Sequence, residues 1–377
     1  MRISPGLPLR RAMVSVFALA AIWTPGGTST AAPPVGGESK EPAQEAVRLP
    51  FAQRYRVLQH GGIVRAANAS ISCRATLATC AGIRGGEILA TGTGGGSRAA
   101  VNGDLDMFYV DVDSDPNTYN SSRAEVRMPK GGRATYARLY WGGNLKVGEQ
   151  KPPKDNGRVL IAEPGGQYKE LLADTVVGHR VAHGADAYQA SADVTKLVRE
   201  SGSGLYTVAQ LNVAMGKSAA GAWGGWTLVV AYENAAEPLR HLAVWDGFDA
   251  LRDRTGDAPL VRLAELPFPA GANGRAGLVA YDGDRGSAGD SLTVSVAGRT
   301  TALGDAANPL DDVLNSTIGK PVPERVPAYT NTLGYDSDVF ELDTALRRGG
   351  DQLAFRLVSQ RDAAWAGALF VAVDARQ

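Results

Sequence analysis

The 377-residue chain is short of most side chains that carry catalytic chemistry. It holds two cysteines, Cys73 and Cys80, and four histidines, His60, His179, His183 and His241. A C-x6-C pair is not zinc spacing, and no second pair exists to complete a site. Excess charge is missing too, because 39 basic and 39 acidic residues cancel. Nucleic acid and anionic membranes both require a basic face, so neither is an expected partner. Aromatic residues make up 7% of the chain, and five tryptophans, Trp141, Trp223, Trp226, Trp245 and Trp365, lie beyond the N-terminal apolar run. No apolar run reaches the roughly 20 residues that a membrane-spanning helix needs, and the chain is not expected to span a bilayer.

What is present begins with an export signal. Arg2, Arg10 and Arg11 precede an apolar run at residues 12–23 (AMVSVFALAAIW), and Ser29-Thr30-Ala31 fits cleavage after Ala31. Arg10-Arg11 also fits part of a twin-arginine signal, although Leu9 replaces the usual Ser or Thr, so the export route stays open. Residues 1–31 are therefore read as a signal peptide, and the protein as secreted. The chain stops at VAVDARQ without a hydrophobic tail or lipidation cysteine, which leads to the expectation of a free protein held at a surface only by what it binds. In that oxidising setting Cys73 and Cys80 are expected to pair as a disulfide, free thiols being the competing reading.

Residues 32–50, rich in Pro, Gly and charge at their start, read as a flexible linker. Beyond them come short runs rich in Val, Tyr, Thr and Leu, such as ATYARLYW (134–141), LYTVAQLNV (205–213), WTLVVAY (226–232), SLTVSV (291–296) and QLAFRLV (352–358), divided by Gly, Pro and Asn. Helical periodicity is confined to short stretches such as 194–200 and 344–348. Many strands and few helices indicate an all-β fold.

Four sequence blocks recur in the same order. GGRATYARLYWGG (131–143) answers NGRAGLVAYDGDR (273–285), and AEVRMPKGGRA (124–134) answers AELPFPAGANGRA (264–276). ADVTKLVRESGSGLYTVAQLNV (192–213) answers SDVFELDTALRRGGDQLAFRLV (337–358), aligning Asp193 with Asp338, and AWGGWTLVVAYE (222–233) answers AWAGALFVAVDA (364–375). An internal duplication is inferred. The expected architecture is two tandem, related, antiparallel jelly-roll-like β-sandwiches, at residues 51–236 and 237–377.

The runs LYWGGN, DVTKLV…GLYTVAQLNV, AWGGWTLVVAYE and NTLGYDSDVFEL resemble a family of secreted actinobacterial (Streptomyces-like) cell-envelope proteins of unassigned function. In that family the module is N-terminal and often followed by conserved-repeat surface domains. The resemblance covers roughly residues 50–377; it implies an envelope or extracellular role and carries no catalytic residues.

Two acidic runs invite a metal. Asp111, Asp113, Asp115 and Asn117 place oxygens at alternate positions, which a curled loop could converge on a structural Ca²⁺; the competing reading is a solvated turn. Pro116 and Ser122 stand where an EF-hand needs Gly and Glu. Asp282, Asp284 and Asp290 form a sparser version, and no cofactor is required by either. Among the tryptophans, Trp223 and Trp365 align between the repeats and read as core. Trp141 and Trp226 lack counterparts in that alignment and, with Asn144, are the expected ligand-binding residues.

Enzyme motifs fail on inspection. Gly289-Asp290-Ser291-Leu292 spells an esterase signature, yet no histidine follows it to act as base. Gly216-Lys217-Ser218 lacks the first glycine of a phosphate loop, since Leu211 occupies that place. His179 and His183 have the spacing but not the glutamate of a zinc protease helix. The expectation is a non-catalytic binding or structural module, with polysaccharide or a surface protein as partner. The alternative is a secreted glycan-active hydrolase using loop carboxylates, whose spatial spacing a sequence does not reveal.

Overall fold

The computed structural model describes residues 41–74, 78–86, 88–90, 97–99, 101–251, 260–319 and 323–376. The expected export signal and residues 32–40 of the expected linker lie outside them. The first half supplies β1 (Glu45–Ala46), β2 (Leu49–Ala69), β3 (Ile71–Cys73), α1 (Ala78–Arg84), β4 (Ile88–Ala90), β5 (Ser97–Ala99), β6 (Met107–Tyr109), β7 (Ser121–Val126), β8 (Arg133–Asn144), β9 (Arg158–Ala162), β10 (Lys169–Leu172), β11 (Thr175–Ala182), β12 (Ala185–Asp193), α2 (Thr195–Ser201), β13 (Gly204–Ala209) and β14 (Gly224–Glu233). The second half supplies β15 (Leu239–Ala250), β16 (Val261–Leu263), β17 (Gly274–Tyr281), β18 (Ser291–Val296), β19 (Arg299–Leu303), β20 (Arg325–Val326), β21 (Tyr335–Glu341), α3 (Asp343–Leu346), β22 (Leu353–Val358) and β23 (Trp365–Asp374). The fold is all-β, and its few helices are short. Among the described residues no helix is long and apolar enough to cross a membrane.

A ten-stranded sheet runs in the order β1-β11-β12-β8-β14-β2-β15-β23-β17-β21. Only the β1–β11 pairing in it is parallel. A five-stranded sheet (β10-β9-β13-β7-β20) and a four-stranded sheet (β16-β22-β18-β19) complete the main layers. Period-2 alternation sends successive side chains of a strand to opposite faces. Accordingly, Ala137, Leu139 and Trp141 of β8 join one core with Val159 and Ile161 of β9 and Tyr206 and Val208 of β13. Leu369, Val371 and Val373 of β23 join a second core with β18 and β22. The alternate residues, Tyr136 and Tyr140 of β8 and Phe370 of β23, meet in a third core. The large sheet therefore doubles over, and two sandwiches pack back to back through its two halves.

β2 joins the halves. Its first part, Leu49 to His60, pairs with β15, and from Gly61 onward it pairs with β14. Gly61 has a φ of 139°, and a Cβ there would stand 2.0 Å from Tyr232 O, so only glycine fits the switch of partners. In the central core Gln189 Nε2 donates to the carbonyls of Gly247 (2.9 Å) and Gly367 (3.2 Å), while Tyr281 Oη donates to Gln189 Oε1 (3.0 Å). A buried amide so satisfied pins the halves in register.

One expectation changes here. The segment read as a linker to residue 50 is ordered from Ala43, whose N–H donates to Ala173 O, and then forms β1 and the start of β2. Residues 236 and 237 lie in the β14–β15 turn, and residues 40–377 form one compact unit, because a single sheet runs through both sandwiches.

The ladders of the two halves share one local pattern. Arg138 pairs with Asp193 and Val194 N–H donates to Ala137 O; in the second half Arg275 pairs with Glu341 and Leu342 N–H donates to Gly274 O. In the two ladders Asp193 and Glu341 hold like places, as do Trp141 and Leu278.

Candidate functional site

Trp141 and Trp226 face one another on adjacent strands of the first core and are fully buried. Their ring nitrogens donate inward, Trp141 Nε1 to Asn156 O (2.9 Å) and Trp226 Nε1 to Ser122 Oγ (2.8 Å). Neither ring has a face open for stacking, which corrects the expectation that they bind a ligand. Their counterparts are Leu278 and Leu369, which also pair across a ladder and also fill a core. Asn144 is buried as well: its Nδ2 donates to Gly221 O, and its Oδ1 accepts from the N–H groups of Lys146 and Asp186. It ties three loops together. Trp223 and Trp365 are core, as the alignment indicated.

The Asp111–Asn117 run is a turn closed by its own hydrogen bonds. Asp113 Oδ1 accepts from Asp115 N–H (2.8 Å) and Thr118 Oγ1 (2.9 Å), and Asp113 Oδ2 accepts from Tyr168 Oη. Asp115 Oδ1 accepts from the Asn117 backbone and side chain, and Asp111 Oδ1 from Ser121 Oγ. Asp113 is held below its usual pKa: burial works against this, but the bonds from Tyr168, Asp115, Ser121 and Thr118 outweigh it. Among the described residues no group of three or more His, Cys, Asp or Glu stands arranged to hold a metal ion. Cys73 and Cys80 form a disulfide, with a Cα–Cα distance of 5.9 Å.

A second acidic region lies at the loop end of the second sandwich. Asp282 and Asp290 come from the β17–β18 connection, Asp312 from the β19–β20 connection, Asp336 and Asp338 from β21, and Asp362 from the β22–β23 connection. All six are buried; Asp290, Asp336 and Asp338 have no exposed surface. Some of their oxygens are satisfied. Asp282 Oδ1 accepts from Asn102 Nδ2 (3.0 Å), Asp312 Oδ2 from Gly286 N–H (2.8 Å) and Asp336 Oδ1 from Thr317 N–H (3.0 Å). Asp362 accepts from Asp284 N–H (3.0 Å) and Ser287 Oγ (2.5 Å). Asp312 Oδ1, Asp336 Oδ2 and Asp338 Oδ2 meet no donor in hydrogen-bonding geometry, and the Asp290 side chain faces Ser359 and Asp362.

Burial pushes every one of these six carboxyls above the usual carboxylate range, and like charges add to it for Asp282, Asp290, Asp312 and Asp336. Asp336 feels Asp338, Asp290 and Asp312; Asp290 feels Asp362 and Asp312. The cations stand to one side. Arg65 and Arg325, both lowered to about 10 by burial, act on Asp338, and Arg285 acts on Asp336, Asp312 and Asp338. Among the described sequence features, only Asp282, Asp284 and Asp290 pointed here. The missed signal was the i, i+2 pair Asp336 and Asp338, which sets two carboxylates on one face of a buried strand.

A third feature is open to solvent. A cavity of about 650 Å³ runs between the sandwiches, lined on one side by β2 and Arg127 and on the other by β17, β21 and β23. Its walls carry ion pairs, Arg275 Nε to Glu341 Oε1 (2.9 Å) and Arg240 Nη1 to Glu237 Oε2 (2.7 Å). Arg275 and Glu341 are each 60% exposed at the side chain, so their donors and acceptors face water.

No family model matches the chain, and no curated protein matches it. Among solved structures it is similar to PNGase F, described as a glycosylasparaginase from Flavobacterium meningosepticum, at 12% identity over 71% of this chain and 95% of that one, with a TM-score of 0.24. A second N-glycanase F structure gives the same values. At that score no fold or activity is transferred.

Proposed function

We propose that the protein is a secreted, non-catalytic module of the cell envelope that binds a polyhydroxylated polymer in the cleft between its sandwiches. The observation that carries this reading is the cleft itself, which is open, spans both halves and sets the ion pairs Arg275–Glu341 and Arg240–Glu237 beside apolar side chains such as Ile63, Val64 and Phe370. Guanidinium donors and carboxylate acceptors side by side match the vicinal hydroxyls of a sugar, each of which both donates and accepts. A balanced wall also suits a neutral polymer better than a polyanion. The envelope location rests on the export signal and on the family resemblance, and a surface protein is the other partner class.

The test is co-sedimentation of the secreted chain with insoluble polysaccharides and envelope preparations, with the supernatant assayed for sugar. Depletion of the protein without sugar release, reduced at least ten-fold by Arg275→Ala with Glu341→Ala, is the expected result. Retention unchanged in that double variant removes the cleft assignment. Release of soluble sugar replaces this reading with a glycan-active hydrolase.

A further inference from the structure

We infer that Arg65, backed by Arg325, forms an anion subsite at the floor of the cleft, which takes a carboxylate carried by the bound polymer. The inference deepens the cleft reading above and rests on it. Its first support is where Arg65 points. Ile63 and Arg65 share one face of β2, because side chains alternate along a strand. Ile63 packs in one core with Val339, Phe370 and Ala372, which line the opposite wall of the cleft. Arg65 pairs across the ladder with Val229, a member of the same core. Its side chain therefore enters the space between the layers, where Arg65 lines the cleft and is only 2% exposed.

The second support is what this guanidinium lacks. Its Nη2 donates to Gly319 O, while Nε and Nη1 meet no acceptor among the described residues. The other guanidiniums of the cleft are balanced: Arg127 pairs with Glu125, Arg240 with Glu237 and Asp374, and Arg275 with Glu341. Buried polar groups are almost always partnered, and a buried charge without its partner is the costly exception. A carboxylate reaching the floor would supply the acceptors, through charge-assisted bonds stronger than neutral ones.

The third is the charge behind it. The chain leaving β20 is tied to β2 by Asn68 Nδ2, which donates to Pro327 O (3.1 Å). Arg325 of β20, 9% exposed, donates from Nη2 to Tyr329 O (3.0 Å) and also leaves Nε and Nη1 without an acceptor. Burial lowers both arginines to about 10, so both stay charged at neutral pH. One carboxyl, Asp338, acts on the two of them, and Arg325 acts on Arg65. One carboxyl against two guanidiniums leaves a single positive charge, which a monoanion matches. The cleft walls are balanced and the excess charge is confined to the floor. That pattern suits a mostly neutral chain bearing isolated carboxylates, not a polyanion.

The experiment uses the secreted full chain in two assays. Saturation-transfer NMR with free glucuronate, and separately with glucose, reads the subsite directly. Glucuronate should bind roughly ten-fold more tightly than glucose, and Arg65→Met should abolish the difference. Should Arg65→Met fail to fold, Arg325→Met is the second variant, expected to weaken glucuronate about ten-fold, and the two sugars still compare in the unaltered chain. Co-sedimentation then sets glucuronoxylan, a neutral backbone with scattered glucuronate branches, against the same polymer after carboxyl reduction. Stronger retention on the untreated polymer, lost in Arg65→Met, is expected. No preference for glucuronate, or one that survives Arg65→Met, overturns the inference. Equal retention on both polymers overturns it too and leaves the cleft reading standing. Retention on neither, with the glucuronate preference intact, sinks the cleft reading and sustains the anion subsite.

Discussion

Asp113 in the first sandwich and Asp290 in the second both come from acidic stretches of chain, the second sparser, and their surroundings are opposite. Asp113 lies half-buried among donors from Asp115, Thr118 and Tyr168. Asp290 is fully buried and faces Ser359 and a second carboxyl, Asp362. Acid density therefore says little about a site. What distinguishes the two regions is whether each oxygen has already been matched by the chain itself, because an oxygen closed into a turn is unavailable to a ligand and an unmatched buried one is costly until something arrives.

The same lesson holds for the paired aromatics. Trp141 and Trp226 in one core, and Leu278 and Leu369 in the other, occupy equivalent ladder positions with very different volumes. The sharpest way to break the comparison is to empty both places. Trp226→Ala should cost about 3–5 kcal/mol and Leu369→Ala about 2–5, measured by denaturant unfolding. If Trp226→Ala proves neutral, its ring is not the packing element described above.

The acidic regions should separate next by the sign of their pH dependence. For Asp290 and Asp336 the folded pKa is raised, so between about pH 4 and those raised values the folded state holds more protons than the unfolded one. Stability then falls as pH rises through that window. Thermal unfolding in chelator should show Tm increasing on acidification from neutral pH, and Asp290→Asn should flatten the slope. Asp113 behaves the other way. Its folded pKa is depressed, so its contribution is present above about pH 4 and is lost as pH falls through the folded value.

The smallest effect expected is Asp113→Ala, which removes three hydrogen bonds from a solvated turn and should cost about 1 kcal/mol, checked by the same unfolding experiment. A cost several times larger would show that the turn carries structural weight comparable to the core.

How legible the molecule was follows from the range of the interactions concerned. The runs at 134–141, 226–232, 291–296 and 352–358 became β8, β14, β18 and β22, and the stretch at 194–200 became α2. Alternation and turn residues are local properties, readable within a few residues. The Cys73–Cys80 pairing was equally local. The candidate sites were much less legible. Trp141 looked free for a ligand because alignment found no counterpart, whereas Leu278 does the same work in the second core. The carboxylates of Asp312, Asp336 and Asp362 are spread over 50 residues and come together only where the β19–β20 and β22–β23 connections meet β21.

Composition, alternation and spacing by themselves determined an all-β chain of many short strands, its few short helices and its single disulfide. Tertiary structure decided that β2 serves both sandwiches, so that the expected tandem pair is one body with a third core between its layers. It also decided which acids are matched and which are stranded. Burial and hydrogen-bond partnership depend on segments distant in the chain, and no local pattern of residue types encodes where those segments will meet.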